Sequence, residues 1–248
     1  MPQFLIDSKD VQNNEISIYD KENYNHIVKS LRIKVGEKLS LIDENQIRYD
    51  TKVKEITTSN LLVTVENKYK SDRKLDFKLY LAQVPLRNDA QSTIIEKATE
   101  LGCDGVFPIL GDNCALSKDI IEKKLPKWQK IMFESFKQCE RAYVPKCYNY
   151  TTLEDIIKMK NDFKIIAYCE KYTNHTLHNY FKNNPLNKDD KIIVIIGPEG
   201  GFSKREFELF EINNIPMITL GKLILRAETA VITGLGNLIY EYNIEREN

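Results

Sequence analysis

Residues 196–203 (IGPEGGFS) place three glycines and a proline between an aliphatic run and a predicted helix, a composition that suits a small-molecule site. Glycine lets the backbone approach a ligand without obstruction by a Cβ atom. The segment has neither the Gly-Lys-Ser/Thr of a phosphate-binding loop nor a GxGxxG motif, so phosphate binding is disfavoured. Ser203 followed by Glu206 predicts a capping box at the start of the helix. A purely structural turn is an equally good interpretation of this pattern alone.

Residues 220–230 (LGKLILRAETA) form a second segment of the same kind, with a glycine after a predicted strand and before a helix. Leu220, Ile224 and Leu225 would supply the apolar walls and free backbone groups that an adenine ring requires. Arg226 stands at the predicted helix start, where the helix dipole favours an acid over a base. Its position indicates another task, such as binding a substrate phosphate or contacting a second subunit. The alternative is a surface pair with Glu228 of small energetic value.

The histidines and cysteines predict no metal site. His175 and His178 are three residues apart but have no carboxylate or cysteine cluster beside them, and the five cysteines contain no CxxC. No Ser/His/Asp or Cys/His order stands out, so hydrolase chemistry is not predicted. His26 lies near Lys29 and Arg32, and these residues either contact a nucleic acid backbone or are ordinary surface charges.

The elements that position the two glycine segments alternate between strand and helix. The hydrophobic pattern predicts strands at 77–84, 106–110, 163–168, 192–196 and 217–220. It predicts helices at 89–101, from Pro126 onward, and at 151–159, 204–213 and 228–242. Such alternation indicates an α/β fold with a parallel sheet, in which ligands bind beyond the carboxyl ends of the strands. Both segments follow strands, so they could converge on one pocket.

The first 70 or so residues are β-rich and predict a separate module. Short strands are predicted at 3–6, 15–19, 38–42, 46–53 and 61–65, around one helix at 23–31. Residues 66–76 are polar and are interpreted as a linker. The predicted domains are therefore 1–73 and 74–248.

The composition is that of an ordinary globular protein, with 42% hydrophobic residues and 36 basic against 36 acidic side chains in 248 residues. The longest aliphatic run, 192–196, is far shorter than a membrane span, and the N-terminus does not resemble a signal peptide. We therefore expect a cytoplasmic protein without membrane contacts. The zero net charge counts against nucleic acid binding. Residues 118–146, however, hold eight basic and four acidic side chains, which indicates either a binding strip or a solvated helix face.

Five segments, taken in order, resemble the SPOUT superfamily of S-adenosylmethionine-dependent RNA methyltransferases. More narrowly, they resemble the bacterial 16S rRNA uridine-N3 methyltransferase family, RsmE. The segments are 26–32 (HIVKSLR) with Gly36, 96–102 (EKATELG), the region of Trp128 and 138–141, and the two glycine segments. The resemblance spans the whole chain. It implies a PUA-like β-barrel at the N-terminus and a parallel α/β sheet whose C-terminal part is tied in a trefoil knot.

The resemblance also implies a cofactor, a substrate and an assembly. The cofactor would be S-adenosylmethionine, the substrate 16S rRNA of the small ribosomal subunit, and the assembly a homodimer. The implied cofactor-binding residues lie in three loops and are Gly197, Pro198, Glu199, Gly200, Gly201, Leu220, Gly221, Ile224, Leu225, Arg226, Thr229, Ala230 and Cys169. The third loop would follow Tyr168, around Cys169 and Glu170.

Methylation of uridine N3 requires alignment of the base with the methyl group and removal of the imino proton. The candidates for general base are Glu199 and Glu228. Arg226, and Arg141 contributed by the partner subunit, would bind phosphate or polarise a uridine carbonyl. The implied RNA-binding residues are His26, Lys29, Arg32, Lys97 and Lys137.

The chain departs from the family pattern at four places, all outside the first glycine segment (residues 196–203). Gln3 and Leu223 stand where arginine is common, residues 111–114 (GDNC) replace a Ser-Glu-Arg-type segment, and Lys137 begins an altered run. These departures concern the RNA contacts and leave two alternatives open. One is methylation of another RNA position, such as the ribose 2′-oxygen, and the other is a non-catalytic RNA-binding homologue.

Overall fold

The computed structural model describes residues 2–169 and 175–247. The chain divides into two compact units. The first consists of residues 1–74 and 136–144, and the second of residues 75–135 and 145–248. Each unit is therefore assembled from two stretches of chain. Within the described residues, no helix is both long enough and apolar enough to cross a membrane.

The first unit is built on a mixed six-stranded sheet. Its strands are β1 (Gln3–Ile6), β2 (Val11–Gln12), β3 (Glu15–Ile18), β4 (Lys38–Asp43), β5 (Ile47–Ile56) and β6 (Leu61–Lys70). Helix α1 (Lys21–Tyr24) continues as a π-helical turn over Asn25–Ser30. The strand order is β1-β4-β5-β6-β3-β2, in which β1 pairs with β4 in parallel and the other pairs are antiparallel. The predicted β-rich N-terminal module is confirmed, and its closure into a barrel stays a prediction.

The predicted linker at 66–76 is wrong in its first half, because β6 continues to Lys70. Residues beyond 65 pair with β5, with Arg48 opposite Tyr69 and Ile47 opposite Lys70. Backbone hydrogen bonds to a neighbouring strand need no apolar side chains, so a polar stretch at a solvent-exposed strand end still forms a ladder.

Among its described residues, the second unit contains seven strands and the remaining helices. The strands are β7 (Lys78–Gln83), β8 (Gly105–Leu110), β9 (Lys146–Cys147), β10 (Thr151–Thr152), β11 (Lys164–Tyr168), β12 (Lys191–Ile196) and β13 (Met217–Ile218). The helices are α2 (Asn88–Glu100), α3 (Lys118–Cys139, of which residues 136–139 belong to the first unit), α4 (Leu153–Lys158), α5 (Leu177–Asn183), α6 (Lys204–Ile212) and α7 (Ala227–Glu247). The sheet order is β10-β8-β7-β12-β11-β13, with β9 also on β8, and these pairs are parallel. The predicted parallel α/β architecture is confirmed, and the knot stays a prediction.

Both faces of the parallel sheet are covered by apolar side chains, as expected for a buried parallel sheet. Ile192, Val194 and Ile196 of β12 belong to one core, whereas Ile193 and Ile195 belong to the other. The first core is completed by α2, α3, α5 and α7, and the second by α4 and α6. The uninterrupted aliphatic run of β12 therefore follows from burial on both faces.

Helix α3 begins eight residues before the predicted start at Pro126, which lies in the helix interior. An internal proline removes one helical hydrogen bond and costs about 3 kcal/mol. Ile121 and Trp128, on the two sides of the proline, are both buried in the same core. Complete burial of such a side chain stabilises the fold by about 1.5–3 kcal/mol. The prediction was wrong because this tertiary packing offsets the local cost.

Candidate functional site

The carboxyl ends of β12, β11 and β13 lie side by side and in register. Tyr168 at the end of β11 is opposite Ile196 of β12 on one side and Ile218 of β13 on the other. The segments that follow these three strands therefore start at the same edge of the sheet. In a parallel sheet this edge is the usual place for a ligand.

A cavity of about 250 Å³ opens at this edge. Its volume is close to the lower end of the range for small-molecule sites, about 300–1,000 Å³. The lining residues come from the ends of β11 and β12, both glycine segments and the start of α7, and are Tyr168, Cys169, Ile196, Gly197, Pro198, Glu199, Gly200, Gly201, Leu220, Gly221, Leu223, Ile224, Leu225, Ala227 and Ala230. Eleven of the thirteen predicted cofactor residues are in this set, and the structure thus brings the two segments together. Arg226 and Thr229 are not part of the lining.

The first glycine segment, which we call the glycine loop (residues 197–202), is tightly folded. Gly201 donates its N–H to the Pro198 carbonyl at 3.0 Å and has a φ of +67°, a conformation that L side chains rarely adopt. A Cβ atom on Gly197 would meet the Phe202 ring at 3.4 Å. The backbone path therefore requires glycine at position 201, whereas a side chain at position 197 would only touch the Phe202 ring.

Helix α6 begins directly after the glycine loop with the predicted capping box, which is confirmed. The Ser203 side chain accepts a hydrogen bond from the Glu206 N–H at 3.1 Å, and Glu206 accepts one from the Ser203 N–H at 2.7 Å. Glu206 is buried although it carries a carboxylate. Its oxygens are hydrogen-bonded, which lowers the cost of that burial.

The second segment, which we call the apolar loop (residues 219–226), is much more exposed. Leu223 and Ile224 are 81% and 84% exposed. Gly221 has a φ of +123°, and apart from its two chain neighbours no other residue comes within 4 Å of where its Cβ atom would be. Within the loop, the Thr219 hydroxyl contacts both the N–H and the carbonyl of Gly221 at 3.1 Å. The apolar side chains of this loop are thus presented to solvent around the mouth of the cavity.

The floor of the cavity depends on a close approach between β11 and α7. The buried Tyr168 hydroxyl donates to the Gly234 carbonyl at 3.0 Å, and burial raises the pKa of this phenol above its ordinary value. A Cβ atom on Gly234 would lie 2.6 Å from the Tyr168 ring. Tyr168, Ile196, Leu223 and Ala227 line the cavity but were not predicted. Two of them end strands immediately before the loops, and this position was the available signal.

The four predicted catalytic residues occupy different environments. Glu199 is exposed and lines the cavity, whereas Glu228 is half-buried in the first turn of α7. Arg226 is exposed and immediately precedes α7. Its carbonyl accepts a hydrogen bond from the Ala230 N–H. Arg141 belongs to the first unit, where it is buried and its guanidinium lies 5.5 Å from the centre of the Tyr143 ring. Their catalytic roles stay predictions.

The five residues predicted to bind RNA also differ in accessibility. Lys29 and Arg32 are exposed, and His26 packs edge-on against Phe4. Lys97 forms ion pairs with Glu96 at 2.7 Å and Glu100 at 2.9 Å, and Lys137 is buried. Only part of this set therefore presents its charge at the surface.

The basic segment 118–146 is less uniform than its sequence indicated, because both Lys137 and Arg141 are buried. Lys118, Lys123, Lys127, Lys130 and Lys146 are exposed. Among the described residues, no three His, Cys, Asp or Glu side chains are arranged to hold a metal ion. Glu170, named above for the third loop, lies outside the described residues, whereas Cys169 is buried in the cavity lining.

Two family models match the chain. Residues 73–239 match an RNA methyltransferase domain, and residues 18–66 match an RNA methyltransferase PUA domain. The first match covers the whole cavity, and the second covers most of the first unit's sheet.

Individual proteins agree with these models. A protein from Mesomycoplasma hyopneumoniae named Ribosomal RNA small subunit methyltransferase E is 34% identical over 212 residues, covering 84% of this chain and 87% of its own. A protein of the same name from Rickettsia conorii is 29% identical and covers 95% and 94%. The solved structure of a Ribosomal RNA small subunit methyltransferase E from Neisseria gonorrhoeae, bound to S-adenosyl methionine, has a TM-score of 0.80, with 20% identity and 96% of each chain covered. At that identity the last match shows a common fold.

Proposed function

The chain belongs to the RNA methyltransferase family of the ribosomal RNA small subunit methyltransferase E proteins, and from that premise we propose its reaction. It transfers a methyl group from S-adenosylmethionine to N3 of a uridine in 16S rRNA of the small ribosomal subunit. The observation that carries the proposal is the cavity in which the glycine loop and the apolar loop meet at one sheet edge. Both loops carry the motifs by which the sequence resembles the uridine-N3 methyltransferases.

The residues of the cavity fit S-adenosylmethionine. Leu220 and Leu225 provide apolar surface for the adenine ring, and the glycine loop leaves backbone groups free of Cβ obstruction. Glu199 supplies a carboxylate at the same cavity, suited to the cationic parts of the molecule. When bound, S-adenosylmethionine supplies an electrophilic methyl group on a sulfonium, so the transfer needs no metal ion.

The protein's own part in the reaction is to orient the base and accept a proton. Holding a uridine N3 in line with the donor would provide most of the acceleration. Glu199 lines the cavity and is the better placed of the two candidate general bases, because Glu228 is half-buried and outside the lining. Arg226, exposed next to the lining residues Leu225 and Ala227, is suited to contacting the RNA rather than the cofactor.

We propose that the enzyme acts as a homodimer in the cytoplasm. Leu223 and Ile224 of the apolar loop, and Ile232 and Tyr240 of α7, are exposed although they are large and apolar. Adjacent exposed apolar residues, such as Leu223 and Ile224, often mark interaction sites. A second copy of the chain would cover them, in the homodimer that the family resemblance implies.

The net charge of zero bears on the form of the substrate. Phosphate neutralisation by basic residues supplies most sequence-independent affinity for nucleic acids. A neutral chain therefore gains little from it and depends on the shape of its target. An assembled small ribosomal subunit, with a target base that is unstacked, fits this requirement better than free RNA.

The test is a methylation assay with S-adenosylmethionine labelled in its methyl group, comparing free 16S rRNA with small subunits that lack the modification. Nucleosides from the product are then analysed by mass spectrometry. We expect label on the base of a single uridine and a higher rate with subunits. Label on the ribose would instead show that the enzyme methylates a ribose 2′-oxygen and not N3 of the base. Tight S-adenosylmethionine binding without turnover on either substrate would instead identify a non-catalytic RNA-binding protein.

A further inference from the structure

Asn113 contacts the glycine loop from a distant part of the chain. Its side-chain amide nitrogen donates to the Gly201 carbonyl at 3.0 Å and lies 3.4 Å from the Gly200 carbonyl. A Cβ atom on Gly200 would lie 3.4 Å from the Asn113 Cβ atom. One amide group therefore holds two successive peptides of the loop that lines the cavity.

The neighbouring residue, Asp112, binds the beginning of α6. Its carboxylate accepts hydrogen bonds from the Ser203 hydroxyl at 2.5 Å and from Arg205 Nε and Nη2 at 2.9 and 2.6 Å. The Asp112 N–H donates to the buried Glu206 carboxylate at 3.0 Å. Arg205 also pairs with Glu154 at the start of α4. The turn that follows β8 is thus tied to the end of the glycine loop by side-chain and backbone contacts.

Gly111 allows the turn at residues 111–114 to lie close to Glu206 and Val84. A Cβ atom at this position would lie 2.8 Å from Glu206 Oε1 and 2.9 Å from a Val84 methyl group. The turn is closed by the Cys114 N–H, which donates to the Gly111 carbonyl at 3.0 Å. The contact between this turn, the glycine loop and the start of α6 therefore involves Gly111, Asp112 and Asn113. They belong to the segment 111–114, which departs from the family's Ser-Glu-Arg-type pattern.

We propose that Asn113 and Asp112 are positioning residues that hold the glycine loop in its binding conformation. Neither residue is among those lining the cavity, so both act through the loop. A loop held in its bound conformation loses less entropy when a ligand binds, and affinity rises accordingly. The inference rests on the proposed function in naming S-adenosylmethionine as that ligand.

The first test compares Asn113→Asp with Asn149→Asp in the full-length protein. The carboxylate introduced by Asn113→Asp has nearly the shape of the amide but would face the two loop carbonyls without a proton to donate. Asn149 is exposed and receives the same change of charge. Loss of a typical hydrogen bond corresponds to about a 3- to 10-fold change in an equilibrium constant. Calorimetry should therefore show S-adenosylmethionine affinity weakened about 3- to 10-fold by Asn113→Asp and unchanged by Asn149→Asp.

The second measurement uses the protein without any ligand. Hydrogen exchange of the backbone amides at 199–202 should be about 3- to 10-fold faster in Asn113→Asp and in Asn113→Ala than in the unchanged chain. Asn113→Gln, which keeps the amide, should recover part of the protection. Equal affinity and equal exchange in Asn113→Asp and Asn149→Asp would overturn the proposal.

The two measurements also separate this inference from the proposed function. If the unchanged protein binds S-adenosylmethionine but methylates no RNA, the proposed function fails and the affinities still decide the role of Asn113. If it does not bind S-adenosylmethionine at all, hydrogen exchange alone decides. In that case faster exchange at 199–202 supports a positioning role, and unchanged exchange excludes it.

Discussion

The glycine loop and the apolar loop line the same cavity but are stabilised in different ways. The glycine loop is held by Asn113, by a capping box and by the buried Glu206 carboxylate. The apolar loop makes a Thr219–Gly221 turn of its own and exposes more than four-fifths of both Leu223 and Ile224. The glycine loop is thus held in place by contacts within a single chain. The apolar loop instead exposes apolar surface that a ligand or a second subunit would cover.

This difference separates two sources of binding free energy. A wall that is already ordered contributes by lowering the entropy cost of binding. A loop with exposed apolar side chains contributes when the ligand covers them, because each Å² of apolar surface removed from water adds about 25 cal/mol of binding free energy. Substitutions in the first loop should therefore alter stability together with affinity, and substitutions in the second should alter affinity alone.

The largest effect is expected at the floor shared by both loops. Gly234→Ala would place a methyl group 2.6 Å from the buried Tyr168 ring, and such overpacking costs about 1–3 kcal/mol or more. We expect a lower free energy of unfolding by chemical denaturation and reduced S-adenosylmethionine affinity. Gly236→Ala, on the same helix but with no heavy atom within 4 Å of the new Cβ atom beyond the adjoining residues and the helix's own backbone, is the matched control. Equal destabilisation by both would mean that the close approach of Tyr168 is not essential.

The next effect concerns catalysis at the end of the apolar loop. Arg226→Ala should lower kcat by about 10²-fold, the size seen when one group that stabilises developing charge is removed. S-adenosylmethionine affinity should change little, because Arg226 does not line the cavity. Single-turnover methylation and calorimetry measure the two quantities. An unchanged rate would leave Arg226 with a structural role only.

The hydrogen bonds that Glu206 accepts at the end of the glycine loop are tested by Glu206→Ala. Removing this carboxylate leaves the Ser203 and Asp112 N–H groups without their acceptor, and a hydrogen bond to a charged group contributes about 1.5–3 kcal/mol. Urea denaturation should show that loss, together with weaker S-adenosylmethionine binding. Glu208→Ala, on the same helix and in an exposed pair with Lys204, should cost less than about 0.5 kcal/mol. If Glu206→Ala and Glu208→Ala lowered the free energy of unfolding equally, the Glu206 hydrogen bonds would not be what stabilises the glycine loop.

A polar substitution in the apolar loop should separate affinity from stability. Ile224→Ser should leave the free energy of unfolding within about 0.5 kcal/mol, because the side chain is 84% exposed. Calorimetry should nevertheless show weaker S-adenosylmethionine binding, since Ile224 lines the cavity. Sedimentation would report whether the same change weakens self-association. Ile212→Ser, at an exposed position on α6, controls for the change in surface polarity.

The smallest effect is expected from pH. Hydrogen bonds from Arg205 and Ser203 hold the pKa of Asp112 below its ordinary value, and Arg205 does the same for Glu154. A lowered folded-state pKa adds stability that is present above the unfolded pKa of about 3.9 and is lost as pH falls through the folded value. Asp112→Asn should therefore cost about 1 kcal/mol or less at pH 7, because the pair is partly exposed. The difference from the unchanged chain should shrink below about pH 3.9, and a constant difference would contradict this account.

Local patterns predicted the elements and much of the site well. The Ser203–Glu206 capping box and the aliphatic strand β12 involve residues close together in the chain, and both are present as predicted. The start of α3 and the end of β6 were missed. In both cases contacts with distant residues outweighed a local signal, namely a proline in one and a polar composition in the other.

The sequence by itself determined the family, the parallel α/β architecture and the two segments that form the cavity, because each depends on residue types at fixed short spacings. Only the tertiary structure decided that Lys137 is buried, that Tyr168 forms the floor against Gly234, and that Asn113 holds a loop almost ninety positions away. Such pairings arise from the packing of strands and helices that are distant in sequence. A hydrogen bond of 3.0 Å between Asn113 and Gly201 has no counterpart in any local pattern of residues.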